Sequence, residues 1–302
     1  FPGRNTPILE IVDFLNARAR ENQWGFVDFN RPMVAINQWE QAEDSTYTLC
    51  GKDRIHPSTD GHLVMAYLFL KAQGLAGKPV ADIRIDGAGK KVTRSDNCRV
   101  SDLSVSSDNL TFTYEAKSLP YPIDTSYYDN EKHTQADALS VIPFMDEMNY
   151  EGLSVSGLSD GYYGLTIGGE FIGRFTAREL ERGINMALLQ NTPQYKQAMK
   201  IRQMNEERWL KERKMREFYW VEYNLMRKTG MLWACNEAAV DTLRKYRPHD
   251  IFLQWNGDLW LQYMHKGIRE DCVNEQQDLV NQIYEQNKPI PLRIEIKKFT
   301  DL

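Results

Sequence analysis

Residues 53–66, DRIHPSTDGHLVMA, combine a loop that carries an aspartate and a histidine with the start of an apolar segment. That segment, 61–73, is almost wholly apolar, which predicts a helix that is buried on most of its faces and ends at Gly74. In the tight loop before it, Asp53 and His56 are three residues apart. A loop histidine can serve as a general base, and a carboxylate at this spacing can hold its imidazole in one tautomer and stabilise the imidazolium. The alternative, a loop histidine beside an aspartate that caps a turn, stays open on these two residues alone.

Residues 1–78 have the pattern of an α/β segment. Apolar side chains recur at helical spacing over residues 8–15. Residues 24–29 (WGFVDF) are short, aromatic and β-branched, which predicts a buried strand. A short helix is predicted at 33–39.

Several of these stretches together resemble a known family. Residues 26–29, 53–57 and 61–66 resemble the last catalytic block of the SGNH/GDSL hydrolases. Two further stretches, FPGRNTP at 1–7 and NTPQY at 191–195, look like a multi-domain branch of that family common in gut Bacteroidetes. The resemblance covers most of the chain, but only residues 1 to about 78 match the hydrolase core.

The resemblance implies a fold class and a reaction. Residues 1–78 would be the C-terminal half of a doubly wound, SGNH-type parallel-sheet domain. Asp53 would orient His56, the base of a Ser-His-Asp triad that hydrolyses acyl or acetyl esters of small molecules or carbohydrates. His62 matches a position that is usually structural and is left out of the triad. The family resemblance implies no cofactor and no metal, and a periplasmic or extracellular location.

The chain departs from the family at its nucleophile. It contains no G-D-S motif, and the family's glycine and G-x-N-D blocks, which complete the oxyanion hole, are also absent. In the family these blocks come before the D-x-x-H block. We therefore expect the serine on the N-terminal part of the hydrolase domain, either as a separate chain or as a piece cut off from this sequence.

Residues 79–175 predict a β-rich accessory region. Alternating apolar and polar side chains predict strands at 80–86, 99–105 and 110–115, which would form a small antiparallel sheet. The Gly168-Gly169 pair predicts a hairpin turn.

Residues 176–302 predict a mainly helical region. A capping box at residues 176–179 (TARE) opens its first helix. A long helix is predicted at 193–228, others at 235–246 and 268–287, and the segment 292–299 is predicted to be a closing or edge strand.

Other candidate motifs favour structural roles. GLSDG, residues 157–161, matches the G-x-S-x-G elbow of α/β-hydrolases. That elbow requires a strand, a sharp turn and a helix, whereas both flanks here resemble strands, so Ser159 is predicted in a hairpin turn. His133, His249 and His265 stand alone and are predicted to be surface or core residues.

Composition excludes several classes of protein. The 302 residues are 42% hydrophobic and 26% charged, as in ordinary globular proteins. A net charge of −5 disfavours a nucleic-acid partner, and no apolar run approaches the ~20 residues of a membrane span. The cysteines are far apart and form no C-x-x-C pair, which disfavours structural zinc and a thioredoxin-type site; they are Cys50, Cys98, Cys235 and Cys272.

A second function remains open from the sequence. The chain is also consistent with a non-catalytic protein that binds a glycan or a partner and retains a hydrolase remnant. The presence or absence of a G-D-S block in the complete protein distinguishes the two.

Overall fold

The computed structural model describes residues 5–127 and 133–299. The chain divides into a sheet unit, Phe1–Tyr195 with Pro289–Leu302, and a helical unit, Lys196–Lys288. The division predicted from sequence, after residues 78 and 175, stays a prediction. Within the described ranges, no helix combines the length and the apolar character that crossing a bilayer requires.

The described part of residues 1–78 is helical. Its helices are α1 (Asn5–Asn22), α2 (Asn30–Glu40) and α3 (Thr59–Ala72), so the predicted helices are confirmed. The strand predicted at 24–29 is wrong. No strand of the described ranges pairs with these residues, and apolar content without a neighbour to take up the backbone N–H and C=O groups does not make a strand.

Helix α3 is buried on one face rather than on most of its surface. Leu63, Val64 and Tyr67 pack with Ile142 and Phe144, whereas residues on the opposite side of the helix are exposed. This small core holds the loop before α3 against the rest of the sheet unit.

Two sheets follow. The four-stranded sheet has the order β2-β1-β5-β8, with β1 parallel to β5 and the other pairs antiparallel. The five-stranded sheet is antiparallel throughout and has the order β3-β4-β9-β6-β7. The strands are β1 (Ala81–Asp86), β2 (Lys91–Asp96), β3 (Cys98–Val105), β4 (Asn109–Ala116), β5 (Glu151–Ser156), β6 (Tyr162–Ile167), β7 (Glu170–Thr176), β8 (Ile184–Asn185) and β9 (Leu292–Lys298).

The sheets correct two predictions and confirm two. The predicted strands 80–86, 99–105 and 110–115 exist, but they do not form one small antiparallel sheet, because β1 lies in the four-stranded sheet whereas β3 and β4 lie in the five-stranded sheet. The strand predicted at 292–299 exists as β9; of its two predicted places, the edge is wrong, because β9 is the central strand of its sheet. The hairpin at Gly168-Gly169 is confirmed. The capping box is also confirmed, at the start of the short helix α5 (Ala177–Arg182). A four-residue helix, α4 (Phe144–Glu147), comes earlier in the chain, before β5.

Alternate residues of the strands form the core of the sheet unit. Side chains of β1, β4, β5, β6 and β9 are fully buried together, among them Ile83, Phe112, Leu153, Leu165 and Ile294. The period of two that predicted the strands is thus the pattern that buries them.

The helical unit contains four long helices: α6 (Pro193–Val221), α7 (Glu237–Tyr246), α8 (Ile251–Tyr263) and α9 (Lys266–Gln286). The first three residues of α6 precede the unit, which begins at Lys196. Sequence analysis predicted all of these except α8. One π-turn, Glu222–Met226, continues α6. Inside the unit, Gln197 Nε2 donates to the carbonyl oxygens of Gln286 and Lys288, 2.8 Å each, so its first turn and its last residues are tied together.

Candidate active site

The loop that joins α2 to α3, residues 41–58, is tied at its base. The Gly51 N–H donates to His56 O at 2.8 Å, and the Ser58 N–H donates to Leu49 O at 3.0 Å. These bonds close a narrow turn around residues 51–56. Asp53 and His56 are therefore held on one small loop by local backbone contacts.

Gly61 allows this loop to lie against the start of α3. A Cβ at this position would collide with Leu49 O and lie 3.3 Å from Pro57 Cβ. No larger residue can take its place without moving the loop. The glycine in the D-x-x-H-P-x-x-x-G pattern thus has a packing reason.

Asp53 and His56 are in direct contact. Asp53 Oδ2 lies 2.6 Å from His56 Nδ1, and Asp53 Oδ1 accepts the N–H groups of Ile55 at 2.9 Å and His56 at 3.1 Å. The hydrogen bond from His56, followed by those from the two backbone N–H groups, lowers the pKa of Asp53 to about 2. The carboxylate is therefore ionised at any ordinary pH. It fixes Nδ1 of the ring, which leaves Nε2 to exchange a proton with a ligand.

The dyad faces a cavity of about 790 Å³. This volume suits a small-molecule ligand. The His56 side chain is 83% exposed and that of Asp53 is 48% exposed. The cavity is lined mostly by polar residues of the loop, together with one residue from elsewhere in the chain; they are Asp44, Thr46, Tyr47, Thr48, Cys50, Gly51, Lys52, Asp53, Arg54, His56, Pro57, Ser58 and His133.

Sequence analysis missed His133, which is not alone. Its Nδ1 lies 3.6 Å from Asp60 Oδ2, and its ring stands edge-on to Tyr47 with centroids 5.7 Å apart. Asp60 is fully buried, and its Oδ1 accepts bonds from Ser58 Oγ and from the Gly61 N–H. No local pattern could have shown this contact, because residues 60 and 133 are far apart in the sequence.

His62, which the sequence analysis left out of the triad, is exposed on α3.

Ser159 is not on a nucleophile elbow. It lies between β5 and β6, which belong to different sheets, so the predicted hairpin turn is a connection between sheets. Lys298 Nζ donates to Ser159 Oγ at 2.8 Å, and Tyr163 Oη donates to Ser159 O at 2.9 Å. These contacts fix a turn. In the described ranges, no serine hydroxyl is hydrogen-bonded to the His56 ring.

One cysteine has a histidine neighbour: Cys235 Sγ lies 3.4 Å from His265 Nδ1, so His265 does not stand alone as predicted. All four cysteines are free thiols. Among residues 5–127 and 133–299, no group of three or more His, Cys, Asp or Glu side chains is placed to hold a metal ion.

Fold and site together define a mixed α/β protein with a carboxylate-oriented histidine at a cavity. A sequence model of the family "Diltiazem deacetylase C-terminal helical domain" matches residues 199–288. The solved structure of BT4096, a gut microbial diltiazem-metabolizing enzyme, is similar over 99% of this chain and 67% of that chain, with 41% identity and a TM-score of 0.91. Among curated proteins, no match was found. The chain belongs to the family of this diltiazem-metabolizing enzyme.

Proposed function

We propose that this protein is a serine ester hydrolase of the SGNH/GDSL type, with His56 as its general base and Asp53 as the residue that orients it. The observation that carries the proposal is the 2.6 Å contact between Asp53 Oδ2 and His56 Nδ1 beside the cavity. The family model that matches residues 199–288 is named for a diltiazem deacetylase. Because a deacetylase removes acetyl groups, this match supports hydrolysis of an acetyl ester.

In the proposed reaction, His56 Nε2 takes the proton of a serine hydroxyl as its oxygen attacks the ester carbonyl. The imidazolium then gives this proton to the leaving alcohol, and an acyl-enzyme remains. Water attacks the acyl-enzyme, its proton passes through His56 to the serine oxygen, and the carboxylic acid is released. Asp53 stabilises the imidazolium in both halves. Since the pKa of Asp53 is about 2, it stays ionised throughout.

In this proposal the serine lies on the N-terminal part of the hydrolase domain, outside this sequence or on a separate chain. Residues 1–78 would then be the C-terminal portion of the SGNH domain, 79–175 an accessory region and 176–302 a mainly helical region. A covering segment in this part of the chain would bury several large apolar side chains that are exposed to solvent. They are Ile11, Phe14, Trp24, Trp39 and Ile55, with exposed fractions from 58% to 80%.

The proposed substrates are acyl or acetyl esters of small molecules, including esters on carbohydrates. An acetyl group fills little of a cavity of about 790 Å³, so most of this space would hold the alcohol part of the ester. The resemblance to the gut Bacteroidetes branch supports a periplasmic or extracellular location.

The test is hydrolysis of phenyl acetate by the complete protein and by three variants. His56→Ala should lower kcat/KM by about a thousandfold or more, and Asp53→Asn by about a hundredfold or more, since removing a triad member typically costs several orders of magnitude. The matched control is His62→Ala, which removes an exposed histidine on α3 and should stay within about twofold. Circular dichroism checks that each variant is folded.

A fluorophosphonate probe locates the nucleophile. Mass spectrometry should find the label on a serine outside residues 5–299, and His56→Ala should prevent labelling. Equal activity of His56→Ala and the parent would overturn the role of the dyad. A complete protein that neither hydrolyses esters nor takes the label would favour the binding function instead.

A further inference from the structure

We propose that Cys235 is a site of reversible covalent modification, where its thiol exchanges with small organic disulfides and His265 acts as the base. Both residues lie in the helical unit. The inference therefore does not depend on the ester hydrolysis proposed for the Asp53–His56 pair, and it gives a chemical role to a histidine that the sequence analysis treated as isolated.

The first step is the contact between the two side chains. Cys235 Sγ lies 3.4 Å from His265 Nδ1, a hydrogen-bond distance for sulfur, and among the described residues this is the hydrogen bond of that thiol. A neutral imidazole with its proton on Nε2 accepts the S–H group at Nδ1, so the contact needs no charge on His265. A nucleophile within hydrogen-bond reach of a base is the arrangement that activates cysteine for attack.

The second step is how the chain brings the pair together. Cys235 directly precedes Asn236, the N-cap residue of α7, and His265 is the N-cap residue of α9. The Asn236 side chain caps α7, and the Met264 N–H donates to Trp260 O at the end of α8. Helices α7, α8 and α9 all contribute side chains to one buried core. Two backbone positions at held helix ends thus place the thiol beside the imidazole.

The third step is access to the thiol. Cys235 and His265 are exposed, whereas Cys98 and Cys272 are buried and Cys50 is half-buried. Burial raises the pKa of the Cys50 and Cys98 thiols, which keeps them protonated and less reactive. Cys235 is therefore the thiol of the described ranges that a disulfide can reach and that has a base beside it.

The charged side chains next to the pair in the chain are engaged with one another. Glu237 pairs with Arg244 at 2.9 Å, and Lys266 pairs with Glu270 at 3.1 Å. These exposed ion pairs are screened by salt. The imidazole in contact with the thiol is therefore the group expected to govern how the reaction rate depends on pH.

The exchange is balanced in atoms and electrons. The thiol proton passes from Cys235 Sγ to His265 Nδ1, Sγ attacks one sulfur of the disulfide R–S–S–R, and the S–S bond of this reagent breaks. The leaving thiolate takes a proton from the imidazolium. The products are a mixed disulfide on Cys235 and a free thiol RSH, and an added thiol reverses the reaction by the same path.

The experiment follows the reaction of the folded, complete protein with dithiobis(nitrobenzoate), an aryl disulfide that releases a coloured thiolate. We expect a fast phase that Cys235→Ser removes and Cys50→Ser keeps. His265→Gln has a polar side chain that cannot take up the proton. At about pH 7 it should slow this phase about three- to tenfold, because an ordinary thiol is only a few per cent ionised there. A larger effect is not expected, since a more acidic thiol is a weaker nucleophile.

The pH dependence separates a base from a structural residue. At about pH 9.5 the parent and His265→Gln should agree within about twofold, because an ordinary thiol is ionised there without help. His249→Gln, the same change at another exposed histidine of the helical unit, is the control and should match the parent. A His265→Gln variant that reacts as fast as the parent at about pH 7, or more slowly by the same factor at both pH values, would overturn the role of the base.

Oxidised glutathione locates the modification. Mass spectrometry of the treated protein should find glutathione on the peptide that contains Cys235, and dithiothreitol should remove it. Glutathione on another cysteine instead, or on none, would overturn the site. Circular dichroism checks that each variant is folded, and if His265→Gln is not, His265→Asn decides by the same comparison at the two pH values.

Discussion

Glu151→Gln should stabilise the protein at high pH and have little effect at low pH. Glu151 starts β5, is fully buried, and its Oε1 accepts hydrogen bonds from Tyr114 Oη at 2.8 Å and Gln194 Nε2 at 3.2 Å. Burial raises its pKa from 4.5 to about 7, although the two hydrogen bonds oppose the increase. Glu151 Oε2 and Gln194 Oε1 are both without a partner. A proton on Oε2 would make the buried carboxyl group neutral, which burial favours.

The expected change in stability follows from the pKa shift of Glu151. Because the folded-state pKa is the higher one, the folded protein binds the extra proton between pH 4.5 and about 7, and stability falls as the pH rises through this window. At ~1.4 kcal/mol per pKa unit, the full loss above about pH 8 is about 3 kcal/mol. The amide of Glu151→Gln supplies the same donor without ionising, so the variant should avoid this loss.

The assay is differential scanning calorimetry of parent and variant at about pH 5 and pH 8. Tryptophan fluorescence would be a poor reporter, because no strand of either sheet contains a tryptophan. The expected stability difference is within about 1 kcal/mol at the lower pH and about 3 kcal/mol in favour of the variant at the higher pH. Glu181→Gln, the same change at an exposed position of α5, is the control. An equal difference at both pH values would refute the reasoning.

Two further predictions concern the candidate site and its neighbours. Gly61→Ala should destabilise the protein by at least about 2 kcal/mol and lower ester hydrolysis, since the new Cβ collides with Leu49 O. The control is Gly25→Ala, which should change neither property, because nothing lies within 4 Å of the Cβ it adds. Calorimetry measures the stability of both variants, and the phenyl acetate assay measures their activity. Ser159→Ala should keep kcat/KM within about twofold, because Ser159 only anchors a turn through Lys298 and Tyr163. An inactive but folded Ser159→Ala would place the nucleophile on that turn.

Local signals in the sequence predicted what local contacts build. The Asp53–His56 pair is three residues apart on one loop, so the spacing alone placed the side chains together. The capping box before α5 and the hairpin of β6 and β7 are local in the same way. Helix α8 was not predicted, although it has a local signal. Asp250 is its N-cap residue, and the side chain accepts hydrogen bonds from the N–H groups of Phe252 and Leu253.

Contacts between distant residues could not be predicted in this way. The segment 24–29 has the composition of a strand, but a strand also depends on a neighbour that composition does not supply. Strand β9 was predicted as a strand, yet its place between β4 and β6 depends on pairing across the whole chain. His133 meets Asp60 for the same kind of reason, through tertiary packing of distant segments.

The hydrogen bonds of Gln197 to Gln286 and Lys288 have a consequence for how the sheet unit assembles. Strand β9 is synthesised after the other strands of the two sheets, so β4 and β6 each lack a neighbour on one edge until the ribosome has passed the helical unit. An unfolded connection of 93 residues would oppose the arrival of β9 by its closure entropy. A helical unit whose two ends are already tied replaces this long loop by a short one, which lowers the cost by about 2–3 kcal/mol. The helical unit would then speed the pairing of β9 with β4 and β6. Mutations that unfold the helical unit would leave the edges of these two strands exposed for longer, and exposed strand edges promote aggregation.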